Sequence, residues 1–356
     1  ARASCPGHAV RSCRQFMSAT MKPPITTPLA GGPDRGLRVG AAPHLADTAT
    51  TRRIMFEVVL AMLPMFVAGV WLFRLNAVWL TLATTAGCLA AEAVGNAMRG
   101  RSQSSLTDGS AVVTGVILAF SLPPGIRLYQ AFMGGVVAIG LAKMVFGGLG
   151  QNLFNPAMVG RAFLMVCFPV ALTTWVEPGT LRTIGVDAVT QATPLAAAKF
   201  HSAPLASIRD LFIGNVAGCV GETSALAALI GGLYLVLRRV ADWRQPAGMI
   251  GASLAFAAIA HYVAPTRFVG PGYHLMSGAL MFGAFFIATD YVGAPVTPVG
   301  RLLFGIGVGV LVMVIRLFGG YPEGVMYAIL IMNALTPLIE RWTLPTPFGG
   351  KVPAGT

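Results

Sequence analysis

The sequence predicts an all-α polytopic membrane protein with about ten transmembrane segments, arranged as two inverted five-helix repeats that contain broken or short helices. The first observation is composition: of the 356 residues, 55% are hydrophobic and only 11% are charged, against roughly a quarter in soluble domains. The second is that apolar segments follow one another from Arg52 onward, many of them near the roughly 20 helical residues that cross a bilayer. These two features exclude a water-soluble globule with a charged surface.

The third observation is an internal repeat. Pro123 and Phe146 in the first half have counterparts at a constant offset in the second half, namely Pro295 and Phe318. Two repeats that each hold an odd number of spans insert in opposite orientations, which makes the repeat an inverted one. Chance similarity between two Gly-rich apolar stretches is the alternative explanation.

The apolar runs and their breaks give the order of the elements. The first repeat (51–173) is predicted to hold spans near 54–73, 77–97, 109–122, 128–148 and 156–173. A polar connection (174–221) leads to the second repeat (222–341), with spans near 222–238, 247–263, 275–289, 300–317 and 323–340. A polar tail (1–50) without the apolar stretch of a secretory signal is expected to be disordered, and a short tail (342–356) ends the chain. Whether residues 1–37 belong to the natural protein stays open.

The third and eighth spans are short and end at proline pairs, Pro123 with Pro124 and Pro295 with Pro298. Interrupted segments at corresponding places of two halves predict broken helices that face a protein-lined cavity. Glycines in the apolar segments are expected to let helices approach closely, among them Gly134, Gly135, Gly305 and Gly309.

The formal net charge of +12 is distributed as single or paired basic residues between the apolar segments. This pattern indicates membrane orientation, and nucleic-acid binding is not needed to explain it. If all ten segments cross, most of these residues share one side, namely Arg52, Arg53, Arg99, Arg101, Arg238, Arg239, Arg244, Arg341 and Lys351. We therefore expect both termini in the cytoplasm and the 174–221 connection outside, on the other side of the membrane.

Several common chemistries lack their sequence patterns. The five cysteines show no CxxC spacing, so neither a disulfide framework nor a cysteine-ligated cluster is indicated. A Walker loop, a GxGxxG motif after a strand and an HExxH motif are all missing, which leaves nucleotide hydrolysis, dinucleotide binding and zinc hydrolysis without support. No metal ligands and no catalytic residues are predicted.

Acidic residues inside membrane segments are costly and are therefore candidates for an ion pathway. Glu92 lies inside the second span, and Asp108 and Asp290 lie at the ends of the two short segments; Glu57 lies near the start of the first span. The alternative for each is a position at the membrane interface or a pair with a nearby arginine. Glu222 is expected at a helix start, where its charge suits the helix dipole.

The polar connection contains Asp187, Thr190, Gln191, Thr193 and Pro194 within eight residues. The residues alone favour a turn or a helix cap, with Pro194 holding Thr193 extended. The pattern also resembles the flavin-attachment motif of the D subunit of Rnf complexes and of its relative, the B subunit of the sodium-pumping NADH:quinone oxidoreductase. Further motifs resemble this family in the expected order over roughly residues 38–345, namely Ala42-Pro43-His44, Gly147 to Pro156, Gly221 to Ser224, Ala288-Thr289-Asp290 and Gly320 to Gly324.

The resemblance implies that Thr193 carries FMN through a phosphoester bond to its hydroxyl, and that Asp187 and Thr190 shape the loop. Gln191 stands where the family usually has Gly, which leaves open whether the flavin is attached as efficiently. The resemblance also implies a second, non-covalent flavin, riboflavin, near Asn152 and Asn155, whose amides suit its polar edge. The alternative, that Asn155 and Pro156 cap a helix, is compatible with it.

The function that the resemblance implies is electron transfer across the bacterial inner membrane, coupled to Na⁺ or H⁺ translocation, within an ion-translocating ferredoxin:NAD⁺ oxidoreductase. The resemblance also implies that the connection with the flavin-attachment motif lies in the periplasm. The implied partners are other membrane subunits, iron–sulfur subunits and a second FMN-carrying subunit, so the isolated chain is not a complete enzyme. Two alternatives stay open: the corresponding subunit of the sodium-pumping NADH:quinone oxidoreductase, and a flavin-free channel or transporter for a small neutral solute.

Overall fold

The computed structural model describes residues 50–100, 103–178, 190–200, 204–222 and 224–345. Apart from one isolated antiparallel bridge, the regular structure in these ranges is helical. Residues 1–49, most of the C-terminal tail and Asp187 lie outside the described residues, so the predictions for them stay predictions.

The first half of the described chain holds α1 (Thr51–Phe73), α2 (Leu75–Met98), α3 (Ser110–Phe120), α4 (Leu128–Ile139), α5 (Pro156–Cys167) and α6 (Pro169–Thr173). A 3₁₀ turn covers Gln103–Thr107, and α4 runs on into a π-helix over Gly140–Met144, here π1. The connection carries α7 (Pro194–Phe200) and α8 (Ile208–Ile213). These bounds agree with the apolar runs in the sequence, and the predicted fifth span is interrupted between α5 and α6.

The second half holds α9 (Ala225–Leu237), α10 (Arg244–Val263), α11 (Pro271–Met276), α12 (Leu280–Phe282), α13 (Pro298–Phe318) and α14 (Val325–Thr343). A second π-helix, here π2, covers Gly283–Ile287 directly after α12. Local chemistry explains several starts: the side chains of Ser224 and Thr297 accept hydrogen bonds from backbone N–H groups in the first turns of α9 and α13. Pro298 occupies the first turn of α13. A proline is tolerated there because the N–H groups of the first turn have no acceptor within the helix.

Four helices, α1, α2, α10 and α13, are long and apolar enough to cross a membrane. Shorter apolar helices accompany them in the described chain, among them α3, α5 and α9. Together with the composition, these helices confirm a multi-pass membrane protein. The predicted third span is an 11-residue helix, and the predicted eighth span is divided among α11, α12 and π2. Both segments are therefore short or broken, as the prolines indicated.

Two of the predicted glycine contacts lie where helices pack closely against each other. α2 packs on α4, and α10 packs on α13. A Cβ atom on Gly135 of α4 would lie 2.4 Å from the carbonyl oxygen of Thr84, and one on Gly309 of α13 would lie 2.5 Å from that of Met249. Both distances are far below contact distance, so only glycine permits these backbones to approach so closely.

The short segments meet in the centre of the core. The rings of Phe120, at the end of α3, and Phe282, in α12, lie 6.2 Å apart between centroids, and both side chains are fully buried. At one end of α13, Arg301 binds Asp242 with a distance of 2.9 Å between Nη1 and Oδ2. These contacts fix the broken segments between the long helices and so position the two cavities described next.

Candidate functional site

The motif segment, Thr190 to Thr193, lies beside the chain that follows α6. Thr190 forms the antiparallel bridge with Val176, and the backbone N–H of Gln191 donates to the carbonyl of Trp175 over 3.0 Å. The side chains of Thr190 and Gln191 are exposed. The backbone of the motif is therefore held by this bridge, of which the hydrogen bond from Gln191 to Trp175 is a part and which does not use the side chain of Gln191.

Thr193 is the N-cap of α7. Its Oγ1 accepts a hydrogen bond of 3.2 Å from the N–H of Ala196, and its carbonyl accepts one of 2.8 Å from the N–H of Ala197. The residue is only 3% exposed. The helix-cap interpretation of this threonine is thus confirmed, and attachment of a group to Oγ1 requires the neighbouring atoms to make room, because the residue is almost fully buried.

Two long-range contacts anchor α7. The Tyr273 hydroxyl donates to the Pro194 carbonyl over 3.1 Å. The Lys199 ammonium donates to the carbonyls of Gly319 (2.5 Å) and Tyr321 (3.1 Å), just beyond α13. Burial lowers the pKa of the Lys199 ammonium. The motif segment is therefore attached to the second half of the chain.

A cavity of about 560 Å³ opens beside the motif segment. We call it the motif cavity; it is lined by Met158, Arg161, Met165, Leu172, Thr173, Thr174, Trp175, Thr190, Gln191, Ala192, Ala196, Phe200, Ala279, Ile287, Tyr321, Pro322, Glu323, Val325, Met326 and Tyr327. Its volume falls within the 300–1,000 Å³ typical of small-molecule sites. Mostly apolar walls, four aromatic rings and a few polar groups suit a flat, partly polar ring system.

The wall of the motif cavity contains a buried charged cluster. Arg161 of α5 forms ion pairs with Glu323 (Nη2 to Oε2, 3.3 Å) and Glu222 (Nη1 to Oε1, 3.7 Å). Glu222 precedes α9, which begins only at Ala225 with Ser224 as its cap, so its partner is Arg161 and not the helix dipole. Sequence reasoning missed Arg161, although a lone arginine in an apolar helix is a recognisable signal of a paired or functional group.

The two predicted asparagines lie together with Asp290. Oδ1 of Asn155 accepts from the N–H groups of Ala157 and Met158, which caps α5, and its Nδ2 donates to Oδ2 of Asp290 over 3.2 Å. Asn152 is buried and donates to the carbonyl of Phe154, but its Oδ1 has no hydrogen-bond partner among the described residues. The predicted helix cap is therefore confirmed. The cap uses only Oδ1 of Asn155, so the Nδ2 group is free to bind Asp290.

These residues line a second, narrower cavity of about 100 Å³, the asparagine cavity. Its lining residues are Met55, Val58, Ser110, Val113, Thr114, Ile117, Lys143, Leu149, Asn152, Asn155, Pro156, Ala157, Leu235, Val240, Ala241, Phe286, Thr289, Asp290, Tyr291 and Val292. The polar groups suit the hydrogen-bonding edge of a flavin, and the unpartnered Asn152 oxygen can accept a hydrogen bond from a ligand N–H. The volume is smaller than a flavin ring needs, so binding requires the walls to move apart.

Glu92 and Glu57, two of the other predicted acids, do not line the asparagine cavity. Glu92 of α2 binds the ammonium of Lys143 over 2.7 Å, and Glu57 of α1 binds Arg238 and the Tyr234 hydroxyl. The alternative of an ion pair is thus confirmed for Glu57, while the partner of Glu92 is a lysine.

Asp108 lines another cavity, of about 470 Å³, with Arg52 and Arg53. Its Oδ1 is buried without a hydrogen-bond partner among the described residues. The structure therefore brings Asp290 to the asparagines and leaves Asp108 apart from them.

Comparison with known proteins decides the family. A sequence model of the NQR2, RnfD, RnfE family matches residues 38–349, which include both cavities. The chain belongs to the NQR2, RnfD, RnfE family. Members of this family with curated names are similar to it over nearly their whole length.

Three of these relatives are instructive. The chain is 42% identical to the D subunit of the proton-translocating ferredoxin:NAD(+) oxidoreductase complex of Clostridium ljungdahlii, over 88% of the chain and 96% of the relative. It is 42% identical to the D subunit of the Na(+)-translocating ferredoxin:NAD(+) oxidoreductase complex of Acetobacterium woodii, over 88% and 95%. It is 41% identical to the D subunit of the ion-translocating oxidoreductase complex of Halorhodospira halophila, over 87% and 94%. Relatives at equal identity are thus named for different ions, so identity alone does not select the ion.

Proposed function

We propose that the chain is the membrane electron-transfer subunit of an ion-translocating ferredoxin:NAD⁺ oxidoreductase complex of the Rnf type, and that it works only with the other subunits of that complex. The names of three relatives, each covered over more than nine-tenths of its length, support this assignment. The observation that carries the redox role is the motif cavity, because the predicted attachment residue lies beside a cavity of suitable size.

FMN fits the motif cavity on three grounds. Trp175, Tyr321 and Tyr327 contribute aromatic rings to the wall, and Thr190 and Thr174 contribute hydroxyl-bearing side chains. Arg161, whose charge is countered by Glu222 and Glu323, has a buried Nε without a hydrogen-bond partner among the described residues and can donate a hydrogen bond to a polar atom of the ring. When bound, the flavin supplies the electron-accepting ring. The chain holds its phosphate through Thr193, orients the ring between the walls and keeps it partly away from water.

The attachment is tested by denaturing the purified chain and asking whether flavin fluorescence stays with the polypeptide. Thr193→Ala removes the only oxygen of that side chain and is expected to abolish covalent flavin, whereas Thr193→Ser keeps a hydroxyl and retains part of it. Thr173→Ala is the matched control, because Thr173 lines the same cavity outside the motif and its hydroxyl is bonded to the Pro169 carbonyl. Covalent flavin on the Thr193→Ala chain would refute the attachment site.

We further propose that the asparagine cavity binds riboflavin without a covalent bond. The support is the unpartnered oxygen of buried Asn152 together with the Asn155–Asp290 contact. Denaturation should release one free flavin for each chain, and Asn152→Leu should reduce that amount while leaving covalent flavin intact. Equal amounts of released flavin from both chains would contradict this site.

For the membrane arrangement we propose ten segments in two inverted repeats, with both termini in the cytoplasm and the motif segment in the periplasm. Packing supports the repeat, because α2–α4 and α4–α5 in the first half correspond to α10–α13 and α13–α14 in the second. Single cysteines tested with a membrane-impermeant thiol reagent check it. Gln191→Cys should react from the periplasm and Arg239→Cys only from the cytoplasm, and reaction of both from one side would contradict the topology.

Asp290 and Asp108 are our candidates for the ion pathway, with Glu92 as a third acid. Asp108 has a buried, unpartnered oxygen, and Asp290 contributes to the asparagine cavity. Replacing either by Asn should reduce ion movement per electron transferred in the reconstituted complex. Measurements in Na⁺ and in Na⁺-free buffer then identify the ion, and co-purified subunits separate an Rnf complex from a NADH:quinone oxidoreductase.

A further inference from the structure

A further cavity, of about 370 Å³, opens where α10 and α13 begin. Its lining includes three arginines, Arg239, Arg244 and Arg301, and we call it the arginine cavity. Arg239 lies in the turn between α9 and α10, Arg244 is the first residue of α10, and Arg301 lies near the start of α13. Because α10 packs on α13 and both helix starts reach this cavity, the three positive charges meet at one end of the packed pair.

Asp242 holds two of these arginines in place. Its Oδ2 accepts from Nη1 of Arg301 over 2.9 Å and from Nη1 of Arg244 over 3.1 Å. The side chain of Asp242 is only 12% exposed, whereas those of Arg244 and Arg301 are 39% and 33% exposed. Arg239 is exposed and forms no ion pair with a described residue. The carboxylate is thus covered, while the guanidinium groups remain accessible and keep N–H donors for a ligand.

The start of α10 adds a further donor to the cavity. Gln245 is only 3% exposed and lines the cavity, and its side-chain amide forms no hydrogen bond with a described residue. A buried amide without a partner costs free energy, so this group favours a polar ligand or water beside it. The dipole of α10 places a partial positive charge at the same end of the helix. Together with the arginines, these groups suit an anion that offers several oxygens.

The rim of the arginine cavity is apolar and exposed. Trp243, Tyr291 and Val296 line the cavity and are 59%, 51% and 72% exposed. On α13 the exposed side chains of Val299 and Leu302 follow. Tryptophan and tyrosine at the ends of membrane helices are typical of the membrane–water interface, which is the depth of lipid headgroups. A small free anion would bind the arginines and leave this rim in water, whereas a phospholipid covers both.

We propose that the arginine cavity binds the headgroup of an anionic phospholipid, with the phosphate at the arginines and an acyl chain along the exposed side of α13. Basic pockets between transmembrane helices recur as sites for such headgroups. The lining carries three arginines against two carboxylates, Asp242 and Asp290. The first of these is held by two arginines and the second by Asn155. The remaining positive charge favours a headgroup with a net negative charge over a zwitterionic one.

The test measures binding of phosphatidylglycerol to the full chain in detergent by native mass spectrometry, with phosphatidylcholine of the same acyl chains as the zwitterionic lipid. Arg239→Gln should weaken the tightest phosphatidylglycerol binding about fivefold, the effect typical of one basic residue at an anionic lipid. Arg239→Lys keeps the charge and should retain most of it. Adding Arg244→Gln to Arg239→Gln should weaken binding further, and Asp242 keeps Arg301 as its partner. Arg267→Gln is the matched control, because it removes the same charge beyond the other end of α10.

Thermal unfolding of the lipid-free chains checks the fold, and Arg239→Gln should leave the unfolding temperature unchanged because its side chain is exposed. Weaker binding in Arg239→Gln, with normal binding in Arg239→Lys and Arg267→Gln, would support the lipid site. Equal binding of phosphatidylglycerol to wild type and Arg239→Gln, or of both lipids to wild type, would overturn it. Inorganic phosphate that binds as tightly as the lipid would also overturn it, as would a loss of co-purified subunits from Arg239→Gln without any loss of lipid.

Discussion

Asn155 donates a hydrogen bond of 3.2 Å to Asp290, and this contact joins the two halves of the chain. Asn155 caps α5 in the first half, while Asp290 follows π2 in the second half. Both residues line the asparagine cavity. The cavity is therefore formed at the junction of the two halves, which is where transporters built from repeats place their binding sites.

We expect Asp290→Ala to lower the content of non-covalent flavin by at least half, because Asn155 loses its acceptor at the cavity wall. Asp290→Asn keeps an oxygen acceptor at the same place and should retain most of the flavin. The measurement is chromatography of flavin released by acid from equal amounts of protein. Equal loss in both variants would show that the negative charge, and not the hydrogen bond, holds the ligand.

Arg161→Met should destabilise the chain by about 3–5 kcal/mol, because removing one partner leaves buried carboxylates without their counter-charge. Here Glu222 and Glu323 would be left in this state. The measurement is thermal unfolding in detergent. A variant that also carries Glu323→Gln should recover part of the loss. If both variants unfold at the wild-type temperature, the cluster does not contribute to stability.

The close approach of α2 and α4 predicts a cost for any side chain at Gly135. The Cβ of Gly135→Ala would lie 2.4 Å from the Thr84 carbonyl oxygen, and overpacking of this kind costs about 1–3 kcal/mol. Gly140→Ala, a few residues along the same helical run, is the control, because nothing lies within 4 Å of its added Cβ. Thermal unfolding should separate the two variants, with only Gly135→Ala destabilised.

Gln191 stands where the resemblance implies a glycine, yet its exposed side chain takes no part in the contact to Trp175. Gln191→Gly should therefore leave the covalent flavin content close to that of wild type. Gln191→Pro removes the backbone N–H that donates to Trp175, so it should reduce flavin attachment. Intact-protein mass spectrometry measures the flavin-bearing fraction. A large gain for Gln191→Gly would show that the glutamine side chain hinders attachment.

Much of the fold was predictable because its causes are local. The apolar lengths of α1 and α2 and the prolines after α3 fix where helices begin and end, and Thr193 caps α7 for reasons visible in its neighbouring residues. The two π-helices were not predictable, because a single extra residue in a turn leaves the hydrophobic pattern almost unchanged.

The candidate site was predictable only in part. Its asparagines and the motif threonines stand out as polar residues with a recognisable spacing. The partners that complete the site are distant in sequence: Lys143 lies on π1 and Glu92 on α2, and Arg161 meets Glu323 across the two halves. Such pairs depend on tertiary packing, which residue spacing alone does not reveal.

The two ends of α13 are both tied to polar segments. Arg301 near its start binds Asp242, and Lys199 of α7 binds the carbonyl of Gly319 just past its end. A helix of 21 residues is about 30 Å long at 1.5 Å per residue. α13 therefore connects the turn between α9 and α10 with α7 over this distance. A displacement of the chain at one end of α13 would therefore be carried through the helix to the chain at its other end.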